Sequence, residues 1–140
     1  MITIYCSTWV DKGSGEARWS CRKDDWDDRP RAWAGCRGGG TRWLAPLWAC
    51  TDVLQMLPTG KKIEFYIDSE YLWEGVRDRS VRRRFDVLGP AAAVLDTAWK
   101  AFDQAAARHS GNVNWISYDP LSVLTFYKVI QTVEAESAMK

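Results

Sequence analysis

Between Ile2 and Trp9 β-branched and aromatic residues predominate, and Asp11, Lys12, Gly13, Ser14 and Gly15 follow as a turn cluster. That pattern predicts a strand folding back into a second strand over Ala17 to Arg22. The acidic group Asp24, Asp25, Asp27 and Asp28, closed by Pro30, reads as another turn, and Arg31 to Arg37 alternates as a third strand. Three glycines, Gly38 to Gly40, then interrupt. Thr41 stands as N-cap to a segment in which Leu44, Leu47, Trp48, Val53, Leu54 and Leu57 recur at helical spacing, ended by Pro58 and Gly60. Lys62 to Ile67 is a short apolar strand. Because a helix separates it from the opening meander, it can lie parallel to the first strand as in a crossover unit. From Glu70 the pattern is helical to about Asp78. It passes through an arginine-rich stretch and restarts after Gly89 and Pro90 as an Ala-rich helix ending near His109. Asn112 to Tyr118 is a fifth strand, and Pro120 opens a last helix reaching about Glu136.

At 140 residues the chain predicts one domain over positions 1–140, long enough to bury roughly 65–70% of its unfolded surface. Hydrophobic residues at 46% and charged residues at 26% exclude a disordered or fibrous class. A net charge of +1 supplies no overall field for a polyanion, so any nucleic-acid contact must come from local patches. No apolar run approaches the roughly 18 residues of a membrane span, and the first residues enter a strand without a basic leader, which points to a cytoplasmic protein with no membrane partner. The four cysteines, Cys6, Cys21, Cys36 and Cys50, form no CxxC pair, so zinc-knuckle chelation is not indicated and buried free thiols are expected. A single histidine, His109, excludes schemes that need two. Nine tryptophans exceed what a core of this size usually takes, and some are expected at a surface.

The segment Lys62-Ile63-Glu64-Phe65-Tyr66-Ile67-Asp68-Ser69-Glu70-Tyr71-Leu72-Trp73-Glu74-Gly75-Val76 resembles a signature of the ribonuclease H family, in which an apolar strand delivers Thr-Asp-Ser, then Gln-Tyr-Val, then Gly and an aliphatic residue. Ile4-Tyr5-Cys6-Ser7 is similar to the family's Ile-Tyr-Thr-Asp opening. Ala98 to Phe102, followed by Trp115-Ile116, is similar to its Leu-Trp helix and Trp-Val strand. The resemblance implies an α/β fold: a mixed five-stranded sheet, three antiparallel strands then two parallel ones, with helices on its faces.

Active members of that family hold two magnesium ions with four carboxylates, because in-line phosphodiester hydrolysis uses one metal to activate water and another to stabilise the leaving oxygen. Carried onto this chain, the first-strand Asp position reads Ser7, the first-helix Glu position reads Leu44, and the last Asp falls near Val129; only Asp68 matches. Asp119 aligns with the family's mobile histidine. The candidate metal ligands are Asp68 and Asp119, with Asp11, Glu134 and Glu136 as further carboxylates from which a displaced site could be rebuilt. Asp68 has a second reading, as a cap on the helix that follows it. The stretch Arg77, Arg79, Arg82, Arg83 and Arg84, with Arg42 and Trp43, is the candidate nucleic-acid-binding set, in the region where family members with a basic protrusion grip their substrate. Its bland counterpart is a solvated face paired with Asp78 and Asp86. Among the tryptophans, Trp48, Trp99 and Trp115 fall at core positions, and Trp9, Trp19, Trp26, Trp33 and Trp43 are available to stack on bases or cover a partner. Three functions follow. The first is a catalytically degenerate domain, a pseudoenzyme, binding an RNA/DNA hybrid or a duplex and needing no cofactor. The second is an active magnesium-dependent ribonuclease with a site rebuilt around Asp68. The third is a protein-interaction module using the Trp-rich meander.

Overall fold

The computed structural model describes residues 2–118 other than 26, 27, 40, 85, 86 and 88; the expected last helix, Asp119, Glu134 and Glu136 lie outside the described residues. Five strands form one sheet: β1 (Ile2–Val10), β2 (Ala17–Asp25), β3 (Asp28–Arg37), β4 (Ile63–Ile67) and β5 (Val113–Ser117), in the order β3-β2-β1-β4-β5. The first three pair antiparallel, and β4 lies parallel to both β1 and β5. Among the described residues three helices, α1 (Leu44–Met56), α2 (Glu70–Arg77) and α3 (Pro90–Ala107), join the sheet, with a short 3-10 turn at Arg79–Arg82. No helix among the described residues is long and apolar enough to cross a membrane.

Alternation decides which face of the sheet is covered. Ile2, Ile4 and Cys6 on β1, and Ile63, Phe65 and Ile67 on β4, are buried while the residues between them are not, as a strand with one fully covered face requires. α1 packs against β1, β2 and α3, and its apolar residues from Leu44 to Leu54 are buried. The N-cap of α1 is Trp43 and not the expected Thr41, but the Thr41 hydroxyl accepts hydrogen bonds from the Leu44 and Trp43 amides and so holds the turn leading into the helix. At the other end of this layer the His109 ring nitrogen Nε2 lies 2.7 Å from the Leu54 carbonyl oxygen. A carbonyl only accepts, so Nε2 carries the proton and ties the end of α3 to α1.

The β1–β2 turn is built by Asp11, whose carboxylate accepts from the Ser14 amide and hydroxyl and is thereby held below the usual carboxylate range. Asp11 thus serves its own hairpin. The acidic cluster was expected to be a turn, but most of it belongs to strands: β2 continues through Asp24 and Asp25, which pair with Thr3 and Ile2, and β3 begins at Asp28. The backbone partners offered by the start of β1 outweigh the weak strand preference of aspartate.

Two further expectations change. Cys6 and Cys21 face each other across the β1–β2 ladder and form a disulfide, leaving Cys50 as a buried thiol and Cys36 as an exposed one. Trp19 is buried, not displayed: it lies across from Gly35 on β3, where a Cβ would fall 2.5 Å from the indole. Trp9 is exposed. Much of the remaining aromatic excess is absorbed by a continuous series of ring contacts, Trp43–Tyr71–Trp99–Phe102–Trp115–Phe65, with centroids 4.8–5.8 Å apart.

Candidate nucleic-acid interface and the Asp68 cluster

The β1–β4 register pairs Cys6 with Ile67, and β4–β5 pairs Ile67 with Ser117. Ser7 within β1, Asp68 just beyond β4 and Tyr118 just beyond β5 therefore follow side by side, at the carboxyl ends of β4 and β5, the edge at which sheets of this kind place chemistry. Ser7 Oγ donates to Asp68 Oδ2 at 3.3 Å, the Thr8 amide donates to the same oxygen at 3.2 Å, and Thr8 Oγ1 donates to Oδ1 at 3.3 Å. Both carboxylate oxygens are thus engaged from β1. The cap reading of Asp68 is replaced by this arrangement, because the N-cap of α2 is Ser69, whose hydroxyl accepts from the Leu72 amide.

Burial pushes the Asp68 carboxyl above its ordinary range even though the Thr8 and Ser7 hydrogen bonds favour the charged form. The same burial, with the Asp68 charge added, drives the Tyr118 phenol far upward. Tyr118 therefore stays protonated and donates to the Cys6 carbonyl at 3.0 Å, closing the cluster over β1. Burial and Asp68 likewise raise the Cys50 thiol on α1. One negative charge, three hydroxyls and a thiol do not match what two divalent ions require. Among the described residues no three His, Cys, Asp or Glu side chains are grouped to hold a metal.

A raised carboxyl pKa makes a directional prediction. The folded chain holds the Asp68 proton more tightly than the unfolded chain, so this contribution to stability is complete below the ordinary aspartate value of about 3.9. It is lost as pH rises through the higher folded value. Asp68→Asn keeps an oxygen for the Thr8 amide and removes the ionisation. Denaturant unfolding of the variant should show less decline than the parent between about pH 4 and neutrality. An identical decline in both proteins would assign the pH dependence to other groups.

On the other side of α2 the arginines separate into two kinds. Arg82 is committed inward: Nε donates to the Gly75 carbonyl at 2.8 Å, Nη1 pairs with Asp103 at 2.8 Å, and the guanidinium lies 4.0 Å from the Trp99 centroid. Tyr71 OH donates to the Arg82 carbonyl and accepts from Trp99 Nε1, so the backbone of Arg82 is fixed as well. Its neighbours face outward. Arg79, with its side chain 80% exposed, approaches Asp103 at 3.8 Å; Arg83 is exposed; Arg77 lies over Trp73 at 4.1 Å. Arg42 and Arg84 both lie over Trp43, each 4.1 Å from its centroid. An open cleft of about 450 Å³ adjoins them, lined by Arg83, Arg84, Gly89, Ala92, Leu95 and Asp96 among others.

Of the two expected acidic partners, only Asp78 can be followed. Asp78 accepts from the Ser80 amide and hydroxyl, which lower its pKa, and Asp86 lies outside the described residues. Among the described residues Asp103 pairs with Arg79 and Arg82, a partner that the sequence reading missed, as it missed Thr8 and Tyr118. For Trp73 a signal was present: it precedes Arg77 by one helical turn, the spacing at which side chains meet.

No family model matches this chain, and no curated protein matches it. Solved structures do. The chain is similar to LC11-RNase H1, solved in complex with an RNA/DNA hybrid, at 15% identity and a TM-score of 0.63, with all of both chains covered. It is similar to LC9-RNase H1, a type 1 RNase H with the type 2 active-site motif, at 17% identity and a TM-score of 0.63, covering 99% of this chain and 73% of that one. The N-terminal RNase H domain of Rv2228c from Mycobacterium tuberculosis, solved as a fusion with maltose-binding protein, gives 15% identity and a TM-score of 0.64 over 94% of each chain. With strand order, strand directions and helix placement all in agreement, this chain has the ribonuclease H-like fold.

Proposed function

We propose that this chain binds nucleic acid, an RNA/DNA hybrid or a duplex, through Arg42 and Arg84 on Trp43 together with Arg77, Arg79 and Arg83, and that it leaves the bound strands uncut. The observation that carries the binding half is the convergence of Arg42 and Arg84, from distant parts of the chain, on one indole. Guanidiniums gathered on one face neutralise phosphates and release counterions, a driving force that needs no net positive charge on the whole protein. A structure of the same fold, LC11-RNase H1, is described with an RNA/DNA hybrid, which makes that hybrid the first probe to try.

The other half rests on Asp68. Where the family resemblance expects carboxylates, Ser7 supplies a neutral hydroxyl that donates to Asp68, and Leu44 supplies a buried aliphatic chain. The cluster satisfies its own charge with hydroxyl and amide donors, so no step through magnesium is derived for it. Binding should be salt-sensitive and weakly sequence-specific, because phosphate contacts carry no base information. Affinity for a fluorescent RNA/DNA hybrid, measured across potassium chloride concentrations, should fall along a log–log line of slope about −0.9 per phosphate contacted. Affinity that ignores salt, or no affinity at low salt, would remove the proposal.

A further inference from the structure

Trp43 enters the interface as a ring on which a base could stack, the usual service of an indole beside nucleic acid. Its surroundings argue for another role. Two guanidinium carbons lie 4.1 Å from the ring centroid and Tyr71 packs edge-on at 5.2 Å, so the ring is already occupied. A base could stack only by displacing an arginine and forfeiting a cation–π contact. A guanidinium held against an indole by cation–π attraction, in turn, keeps five N–H donors in its own plane, a fork that matches phosphate oxygens. The two arginines come from different segments, Arg42 just before α1 and Arg84 just after the 3-10 turn. Trp43 is their common support.

We propose that Trp43 is a positioning residue, not a base platform: it holds Arg42 and Arg84 as a paired clamp for the phosphates of a nucleic-acid backbone. This rests on the nucleic-acid reading above and deepens it by naming the recognised group. Long arginine side chains lose rotamer freedom when they bind, and stacking on a fixed indole removes part of that cost beforehand.

The test is the salt dependence of binding to a fluorescent RNA/DNA hybrid. Removing both cations by Arg42→Ala with Arg84→Ala should reduce the log–log slope by about 1.8, two phosphates at roughly 0.9 each. Trp43→Leu leaves both cations in place yet should reproduce most of that reduction, whereas Trp43→Phe, which keeps a ring face, should restore most of the parent slope. In the Trp43→Leu background the two arginine substitutions should then add little, the signature of coupled residues in a mutant cycle. If Trp43 stacks a base, Trp43→Leu lowers affinity by the same factor at every salt concentration and leaves the slope alone; that result overturns the proposal. Thermal melting of each variant establishes that it is folded, and Trp43→Met, an apolar chain without a ring, takes the place of Trp43→Leu if the latter unfolds. No binding by the parent removes the nucleic-acid reading together with the clamp. Parent binding with an unchanged slope in the ringless variant removes the clamp alone.

Discussion

Gly75→Ala should lower the melting temperature by roughly 6–10 °C, the equivalent of about 2–3 kcal/mol for a chain of this size. Gly75 is buried on α2. A Cβ there would fall 2.6 Å from two atoms of the Trp99 indole and 3.3 Å from Arg82 Cγ. Trp99 has little freedom to withdraw: its Nε1 donates to Tyr71 OH, Arg82 covers the ring, and Phe102 packs edge-on at 5.4 Å. The Gly75 carbonyl also receives Arg82 Nε, so a shift of α2 would loosen the Arg82–Asp103 pair with it. A methyl group placed at this contact therefore disturbs a hydrogen-bonded aromatic and ionic unit, not a single van der Waals neighbour. A melting temperature within a degree or so of the parent would show that α2 and α3 can separate without cost.

Restoring Ser7→Asp together with Leu44→Glu should create a response to magnesium larger than any the parent shows. Ser7 lies beside Asp68 by direct hydrogen bond, so an aspartate there puts two carboxylates together and removes a donor that Asp68 now uses. Like charges at that spacing raise each other's pKa and oppose folding, so the double variant should be less stable than the parent in chelator. A divalent ion reverses the balance. At a concentration one hundred times its dissociation constant it adds about 2.7 kcal/mol to the folded state. Calorimetric melting with and without magnesium reads both effects. A double variant whose melting temperature ignores magnesium would mean that position 44 does not converge with positions 7 and 68.

Sheet order and the placement of Asp68 just beyond β4 were legible because they depend on periodicity and on one distinctive strand-to-helix segment. The alternation Ile63, Phe65, Ile67 marks a covered strand, and its end delivers Asp68 to the sheet's carboxyl edge whatever the loops do. What stayed hidden depends on register. Nothing in the spacing of Cys6 and Cys21 brings them together; the β1–β2 ladder does. Trp19 could not be assigned to the interior until Gly35 was known to stand opposite it. The arginine run shows the same limit more sharply. Arg82, Arg83 and Arg84 are chemically identical neighbours, yet Arg82 is turned inward by the Gly75 carbonyl and Asp103 while Arg84 stands over Trp43. Sequence reading also gave Asp68 two roles, ligand and cap, and it could not foresee that Ser69 would do the capping and that Thr8 would join Ser7 in holding the carboxylate.

The central claim is that this ribonuclease H-like chain holds nucleic acid without hydrolysing it. The most direct measurement is a time course in which an RNA/DNA hybrid, labelled on the RNA strand, is saturated with protein at low salt in magnesium or manganese and then followed on a denaturing gel. Retention of the hybrid with the RNA strand at full length throughout is the predicted result. Shortening of the RNA in the parent that disappears in Asp68→Asn would contradict the account, because it would show that Asp68 acts in a working metal site in spite of its hydroxyl partners.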